Sequence, residues 1–172
     1  MDKILPLALC LFCLSSCALF RPAEGTVGER NAPRQPRSGG PDTHIRASMT
    51  DHAAELLGVR YKYGGNTPRE GFDCSGFVRY VYQNAGLEIA RTSRDQATYG
   101  TRISLQEAQP GDLIFYKRSN GKPVFHVSLV VNNTGRNLWV IHSTSSRGVI
   151  REDILASSYW RPKVYQVRNV IR

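Results

Sequence analysis

The stretch GFDCSGFVRYVYQNAG, residues 71–86, places a cysteine where a helix is predicted to begin. Its apolar residues recur at helical spacing, with one stripe formed by Phe77, Val81 and Ala85. Gly86 ends this run and Asp73 is a favourable N-cap, so the helix is expected to start at or beside Cys74. The partial positive charge of a helix N-terminus lowers the pKa of a thiol, although the charge of Asp73 acts in the opposite direction. The stretch therefore predicts a thiol held at a helix start, where small residues leave room for a substrate.

The beginning of the chain has the plan of a secretory signal. One Lys is followed by an apolar run and then by small residues, in the sequence MDKILPLALCLFCLSSC of residues 1–17. The apolar run is shorter than the roughly 20 residues that span a bilayer. Its Leu-Ser-Ser-Cys end is similar to a bacterial lipobox, so residues 1–16 are predicted to be removed and Cys17 to be lipidated. The alternative is an ordinary signal peptide that is cleaved near the same place.

Removal of the signal leaves Cys17 and Cys74 of the four cysteines. If Cys17 carries lipid, Cys74 has no disulfide partner within the chain, which excludes a disulfide scaffold. A lone cysteine with histidines elsewhere in the chain is a candidate nucleophile. The alternative is a buried and inert cysteine, which is common for free thiols.

Composition divides the rest of the chain into two parts. Residues 17–41 are rich in Pro, Gly and Arg and lack apolar periodicity, so they are predicted to form a flexible linker behind the lipidated cysteine. Residues 42–172 are then one domain, large enough to bury a core. The formal net charge of +9 is unchanged when Asp2 and Lys3 are removed with the signal. A basic surface suits anionic partners such as lipid headgroups or a cell-wall polymer, and export makes nucleic acid the least expected partner.

The domain is predicted to begin with helices and to end with strands. Helices are expected over 43–57, from Cys74 onward, and within 92–100, the last capped by Thr92 or Ser93. Past the Pro-Gly turn of residues 109–112, strands are expected over 113–117, 124–131, 137–142, 148–151 and 163–171, with a helical turn over 154–160. Helices followed by strands predict an α+β domain, with the helices packed on an antiparallel sheet.

Two of the four histidines, His126 and His142, stand at the ends of strands joined by the turn sequence NNTGR. In a regular hairpin centred on Thr134, His126 lies opposite His142, with Cβ atoms roughly 5 Å apart. One imidazole is then a base for the thiol of Cys74, and the other orients it by a hydrogen bond. A zinc site is a third possibility, but one Cys and two His without CxxC or HxxxH spacing make a weak signal.

Six segments carry a family resemblance: YKYGG (61–65), GFDCSGFV (71–78), ARTSRDQ (90–96), QPGDLIFY (109–116), FHVSLVV (125–131) and VIHSTSSRGVI (140–150). From about Val59 to its end, the chain resembles the NlpC-type cell-wall peptidases, which have a papain-like fold. DCSGFV followed at these spacings by HV and IH is a specific combination. Two positions depart from the usual pattern, Ala90 in place of Pro and Ser128 in place of Gly.

The resemblance implies a role for each residue of the predicted site. Cys74 is the nucleophile, His126 the base and His142 the orienting residue. The residues implied to line the substrate site are Tyr63, Asp73 and Ser75.

The implied activity is hydrolysis of amide bonds in peptidoglycan stem peptides through a thioester, without a metal or an organic cofactor. The candidate bonds are the γ-D-glutamyl–diaminopimelate and diaminopimelate–D-alanine links. The alternatives are a non-catalytic wall-binding lipoprotein and an acyltransferase or thioesterase on the same fold. The protein is expected to be a monomer that its lipid anchors to a membrane of the bacterial cell envelope. Ala18, rather than Asp, follows Cys17, which favours the periplasmic side of the outer membrane.

Overall fold

The computed structural model describes residues 41–171. The predicted signal sequence 1–16, Cys17 and the predicted linker up to residue 40 lie outside the described residues. Within the described part of the chain, no helix combines the length and the apolar character needed to cross a bilayer.

Three α-helices precede most of the sheet: α1 (Pro41–Glu55), α2 (Cys74–Asn84) and α3 (Ser93–Gln96). Helix α1 ends two residues earlier than predicted because the amides of Leu56 and Leu57 bond three residues back, which tightens the last turn. Helix α3 is only one turn long and does not fill the predicted range of 92–100, although Thr92 is its N-cap as predicted.

Six antiparallel strands form the main sheet: β3 (Thr101–Ile103), β4 (Leu113–Lys117), β5 (Val124–Asn133), β6 (Leu138–Thr144), β7 (Gly148–Asp153) and β8 (Val164–Asn169). Their order across the sheet is β3-β8-β4-β5-β6-β7. All five predicted strands are present, while the short edge strand β3 was not predicted. The expected helical turn lies later in the chain, as the 3-10 helix Arg161–Lys163.

A separate two-stranded ribbon lies just before α2. It consists of β1 (Asn66–Thr67) and β2 (Gly71–Phe72). The amide of Asp73 then donates to the carbonyl of Gly65 at 3.3 Å, so the ribbon ends against the first turn of α2. This contact fixes the position of the helix start relative to the preceding loop.

The sheet has a helix-covered face and an opposite face. In β4, Leu113 and Phe115 pack with the helices, whereas Ile114 and Tyr116 pack on the other side, as strand alternation requires. The helix-side core is completed by buried residues of α1, α2, β5 and β6, namely Met49, Ala53, Phe77, Val78, Val81, Val127, Leu129 and Ile141. Full burial of a side chain such as Leu113 contributes about 1.5–3 kcal/mol. This packing confirms the predicted α+β architecture, with the helices against an antiparallel sheet.

The β5–β6 hairpin differs from the predicted register by two positions. Leu129 pairs with Ile141 and Val130 with Val140, and a bulge then interrupts the pairing before Asn132. The predicted centre at Thr134 was wrong because the bulge adds a residue to β5 and the turn closes later in the chain. An even shift leaves every side chain on its predicted face. His126 and His142 therefore share a face, but as diagonal rather than directly opposite neighbours.

Candidate active site

Cys74 is the first residue of α2, and Asp73 is the N-cap that fixes it there. One carboxylate oxygen of Asp73 accepts from the amide of Gly76 at 2.7 Å, and the other accepts from the amide of Gly64 at 2.9 Å. A Cβ atom on Gly76 would collide with the carbonyl oxygen of Gly65, so the helix start and the preceding loop are in direct backbone contact. The predicted cap and helix start are confirmed.

Arg91 holds Asp73 from the other side. Its guanidinium donates to both carboxylate oxygens of Asp73, at 2.7 and 3.0 Å, and to the hydroxyl of Ser75 at 3.0 Å. Burial disfavours the charge on Asp73, but Arg91 and the backbone amides of Gly76 and Gly64 outweigh it, so the pKa of Asp73 lies below its usual value. Asp73 is therefore an ionised, doubly anchored carboxylate beside the thiol.

The amides at the helix start act to lower the pKa of the Cys74 thiol, as expected, but burial outweighs them. Burial and, to a smaller extent, the charge of Asp73 raise this pKa to about 11, although the backbone amides of Val127, Ser75 and Cys74 itself act in the opposite direction. Desolvation disfavours the thiolate more than the amides stabilise it. The resting thiol is therefore protonated and requires a base to become a nucleophile.

His126 and His142 form a hydrogen-bonded pair on the sheet. His126 Nε2 lies 3.0 Å from His142 Nδ1, and both side chains are buried. Burial and then the neighbouring His142 hold the pKa of His126 well below its usual value. Burial lowers the pKa of His142 to about 4, although Glu152 acts to raise it. Both imidazoles are therefore neutral at pH 7, which is the state required of a base.

Aromatic rings position this histidine pair. Trp160 stacks on His126 with ring centres 4.4 Å apart and also contacts His142 at 5.1 Å. The ring of Tyr116 packs against His126 from β4, and its hydroxyl is 2.7 Å from the hydroxyl of Ser128. These contacts restrict the rotation of the His126 ring and exclude water from one side of it.

Two cavities meet at Cys74. The smaller, of about 420 Å³, contains His126, Arg147, Glu152 and Trp160. The larger, a groove of about 940 Å³, is lined on its polar side by Tyr63, Asp73, Ser75, Arg91, Arg94 and Lys122. Residues common to both are Tyr61, Cys74, Arg118 and Phe125. Cys74 thus lies at the centre of one continuous cleft, as the attack of a thiol on an extended chain requires.

The larger groove is cationic. Its lining includes four basic side chains, Arg91, Arg94, Arg118 and Lys122, and a single acid, Asp73, whose carboxylate is paired with Arg91. The guanidinium of Arg118 lies 4.7 Å from the centre of the Phe125 ring, which holds the charge above the cleft. This groove favours a ligand that carries carboxylates.

Five residues of the predicted catalytic and substrate sites line this cleft, and His142, which is buried, is connected to it through its hydrogen bond to His126; the five are Cys74, His126, Tyr63, Asp73 and Ser75. Tyr63 stands at the rim with 88 % of its surface exposed, whereas Asp73 is held in hydrogen bonds beneath it. Sequence reasoning missed Arg91, Glu152 and Trp160. Arg91 lies within the ARTSRDQ motif and could have been found there, but neither Glu152 nor Trp160 has a local signal. Among residues 41–171, no group of three or more His, Cys, Asp or Glu side chains converges as a metal site.

The chain is similar over most of the described region to known proteins. It is 40% identical over 124 residues to the gamma-DL-glutamyl hydrolase of Bacillus subtilis, covering 71% of this chain and 29% of that protein. It is 36% identical over 127 residues to the probable endopeptidase NlpC of Escherichia coli, covering 73% of this chain and 79% of that protein. The chain therefore spans less than a third of the Bacillus protein and most of the Escherichia protein.

A solved structure shares the fold. A crystal structure of an NlpC/P60 family protein from Bacillus cereus superposes with a TM-score of 0.67 at 28% identity, covering 74% of this chain and 40% of that chain. The sequence model of the NlpC/P60 family matches residues 58–169, which is more than half of the chain. All six motif segments lie within this range. With the helix-start cysteine, the histidine pair and the papain-like arrangement of helices and sheet, these matches show that the chain belongs to the NlpC/P60 family.

Proposed function

We propose that this protein is a cysteine endopeptidase that hydrolyses amide bonds in the stem peptides of peptidoglycan. One observation carries the proposal: Cys74 at the start of α2 and His126 line one cavity, and His126 is hydrogen bonded to the buried His142, in a chain of the NlpC/P60 family. The E. coli relative named a probable endopeptidase supports the reaction type. Three residues take the three roles of nucleophile, base and orienting group.

Acylation begins from a neutral pair. His126 takes the proton from the Cys74 thiol as the sulfur attacks the carbonyl carbon of the scissile amide. The backbone amide of Cys74, at the start of α2, donates to the oxyanion that forms. The imidazolium of His126 then protonates the departing nitrogen as the C–N bond breaks. The products of this step are a thioester on Cys74 and a free amine.

In deacylation, His126 transfers a proton from water to the sulfur of Cys74. His126, neutral again, takes a proton from water while the water oxygen attacks the thioester carbonyl. The C–S bond breaks, His126 returns a proton to the sulfur, and the product leaves as a carboxylic acid. The raised pKa of Cys74 and the lowered pKa of His126 keep the resting pair in the neutral form from which this cycle starts and to which it returns.

The position of His126 supports a proposal for how the two sides of the cleft are used. His126 must reach the departing nitrogen, so the smaller cavity, which it lines, holds the amine side of the substrate. The cationic groove then holds the acyl side. A glutamate linked through its γ-carboxyl keeps a free α-carboxylate close to the scissile bond, and Arg118 and Lys122 suit that charge. The gamma-DL-glutamyl hydrolase of B. subtilis supports the same choice of bond.

The test is a digestion followed by mass analysis. The full chain is incubated with purified muropeptides of defined sequence, and the products are identified by mass spectrometry. We expect cleavage after the γ-linked D-glutamate, and no cleavage by Cys74→Ser, a near-isosteric change. Products that carry a transferred acyl group would favour the acyltransferase alternative. Binding without any product would favour a wall-binding protein.

We further propose that Cys17 carries lipid and that residues 17–41 link this anchor to the catalytic domain, at the periplasmic side of the outer membrane. The support is the Leu-Ser-Ser-Cys sequence before the cleavage point and the Ala that follows it. Membrane fractionation of the parent chain and of Cys17→Ala tests this. We expect the parent in the outer-membrane fraction and the variant released or unprocessed; the same membrane fraction for both contradicts the proposal.

A further inference from the structure

The carboxylate of Glu152 faces the ring nitrogen of His142 that does not contact His126. Its Oε2 lies 3.5 Å from His142 Nε2, while His142 Nδ1 faces His126. We propose that Glu152 is a positioning residue of the proposed reaction, which accepts the proton of His142 Nε2 and so selects the tautomer through which His142 orients His126. This inference rests on the proposed function for its catalytic consequence, but its structural content can be tested separately.

The strand register explains why this carboxylate reaches the pair. In the β6–β7 ladder, His142 pairs with Ile150 and Val140 pairs with Glu152. Directly paired residues share a face, and residues two positions apart on one strand share it as well. Glu152 is therefore a diagonal neighbour of His142, just as His142 is a diagonal neighbour of His126 across the adjacent ladder. The three side chains form a row across β5, β6 and β7.

His142 Nε2 has no other partner. The atom is buried and makes no hydrogen bond within the standard distance and angle limits among the described residues. A buried polar atom without a partner is costly, so an acceptor within reach is expected to be used. Glu152 is the acidic side chain among the described residues that line this cavity. A contact of 3.5 Å is long for a hydrogen bond, and such contacts shorten in substrate complexes.

The direction of the hydrogen bonds follows from the chemistry. A carboxylate only accepts, so His142 carries its proton on Nε2 and leaves the lone pair of Nδ1 free. That lone pair accepts from His126 Nε2–H, which leaves His126 Nδ1 unprotonated. His126 then presents a lone pair, rather than a proton, at its second nitrogen, as a base for the Cys74 thiol must. Without an acceptor at Nε2, His142 can take the other tautomer, in which both imidazoles offer protons to the same contact.

Arg147 holds the carboxylate in place. Its guanidinium donates to the same Oε2 of Glu152 at 2.9 Å and is itself largely exposed. The Arg147 charge acts to lower the pKa of His142, while Glu152 acts to raise it. The other groups that face the pair are the rings of Tyr116 and Trp160, and Arg118 lines the same cavity as His126. Among these neighbours, Glu152 and Arg147 are the charged groups that shift the pKa of His142, and their effects on it are opposite.

A purely structural role for Glu152 would be the anchoring of Arg147. An exposed pair of this kind contributes little to stability, and its loss would leave the histidines unchanged. The two roles are therefore separated by measurements on the histidines themselves.

The experiment compares Glu152→Gln and Glu152→Ala with the parent full chain by nitrogen-15 NMR of labelled histidine side chains. In the parent, we expect His142 to be protonated at Nε2 and unprotonated at Nδ1. The signals of His142 are identified as those that disappear in the spectrum of His142→Asn. Glu152→Ala should give a mixture of tautomers, and Glu152→Gln a partial change because an amide oxygen still accepts. Glu88→Gln makes the same chemical change at an exposed residue after α2 and should keep the parent spectrum.

Hydrolysis of muropeptides gives a second readout. Glu152→Ala should lose about 10–100-fold in kcat/KM, as is typical when a group that orients a functional histidine is removed. The acidic limb of the kcat/KM profile should move to lower pH in Glu152→Gln, by roughly one unit, because a negative charge near the pair is lost. Arg147→Met should move it in the opposite direction and by less, since Arg147 is exposed.

The outcomes separate the two proposals. An unchanged tautomer and an unchanged acidic limb in Glu152→Ala overturn the positioning role, even if the rate falls. If Glu152→Ala does not fold, the near-isosteric Glu152→Gln is used instead. The same two measurements then decide: the acidic limb of its kcat/KM profile and the nitrogen-15 spectrum of its histidines. A parent protein that shows the expected tautomer but cleaves no muropeptide overturns the proposed function and leaves the role of Glu152 in place.

Discussion

His126 Nε2 and His142 Nδ1 lie 3.0 Å apart although the two residues do not face each other directly in the strand register. The register of the β5–β6 ladder, extended toward His126, places His142 opposite Ser128, so the two imidazoles meet along a diagonal. A diagonal contact depends on ring orientation more than a direct one does. Trp160, stacked on His126 at 4.4 Å between ring centres, supplies that orientation.

The first prediction concerns this hydrogen bond. His142→Asn keeps an oxygen that can accept from His126 Nε2–H, whereas His142→Ala keeps nothing. We expect His142→Ala to lose about 100-fold or more in kcat, the lower range of what general acid–base catalysis contributes, and His142→Asn to lose distinctly less. Steady-state kinetics on a soluble muropeptide measure both. His44→Ala, at an exposed position of α1, is the control and should match the parent.

The second prediction is that the protein becomes less stable in mild acid. Burial lowers the pKa of His142 to about 4, below the value of about 6.5 in an unfolded chain. Between these values the unfolded chain binds a proton that the folded chain does not, so the free energy of unfolding falls as pH falls from 6.5 toward 4. The loss from His142 alone is on the order of 2–3 kcal/mol.

Urea unfolding at pH 7 and pH 4.5 tests this dependence. His142→Asn removes the titrating group and should flatten the fall in the free energy of unfolding, while His44→Asn should not. An equal fall in the parent and in His142→Asn would contradict the assignment of this acid sensitivity to His142.

Local signals in the sequence were enough to predict part of the site. The cap by Asp73 and the helix start at Cys74 depend on neighbouring residues, and both are as predicted. The shared face of His126 and His142 also followed from strand alternation, which tolerates an even error in register. The exact pairing did not follow, because the bulge after Val130 has no composition signal of its own.

Other features depend on distant parts of the chain. The pKa of Cys74 is set first by burial against the sheet, which a helix start alone cannot reveal. Trp160 and Glu152 reach the histidines from the segments after β6, so only the folded sheet brings them together. Strand β3, three residues long and exposed on two of them, lacks the apolar alternation that would indicate a strand.

The third prediction tests the cationic groove. Lys122→Glu reverses one of its four positive charges and should raise KM for a muropeptide with a free α-carboxylate on D-glutamate, by about 3–10-fold at low salt. A matched muropeptide with an α-carboxamide lacks this charge and should be affected less. Arg136→Glu, in the exposed turn between β5 and β6, makes the same reversal away from the groove and serves as the control. Equal effects on both substrates would remove the support for carboxylate recognition.

The fourth prediction concerns Gly76 in the first turn of α2. Helix propensity alone predicts that Gly76→Ala stabilises the protein by about 0.5–1 kcal/mol. The added Cβ would instead collide with the carbonyl oxygen of Gly65, which is backbone and cannot rotate away. We expect a net destabilisation of about 1–3 kcal/mol, and a loss of activity because α2 carries Cys74.

Thermal unfolding and muropeptide cleavage measure the two effects of Gly76→Ala. Gln83→Ala, at an exposed position of the same helix, should be close to neutral in both. A Gly76→Ala protein that is more stable than the parent would show that the loop before α2 can move away from the helix start.

The last prediction concerns the reactivity of the Cys74 thiol in the absence of substrate. Its pKa of about 11 lies above that of a free cysteine, which is about 8.5, so its thiolate fraction at pH 7 is roughly 300-fold smaller. Since the thiolate is the nucleophile, alkylation by iodoacetamide should be slow at pH 7 and should still rise with pH above 9.

Asp73→Asn keeps a side chain that can cap the helix but removes the negative charge beside the sulfur, and leaves the Arg91 charge without its partner. We therefore expect Asp73→Asn to be alkylated faster than the parent at pH 7, with glutathione measured in parallel as the reference thiol. An alkylation rate in the parent that already levels off below pH 8 would mean that Cys74 and His126 rest as a thiolate–imidazolium pair, and the neutral starting state of the proposed cycle would have to be abandoned.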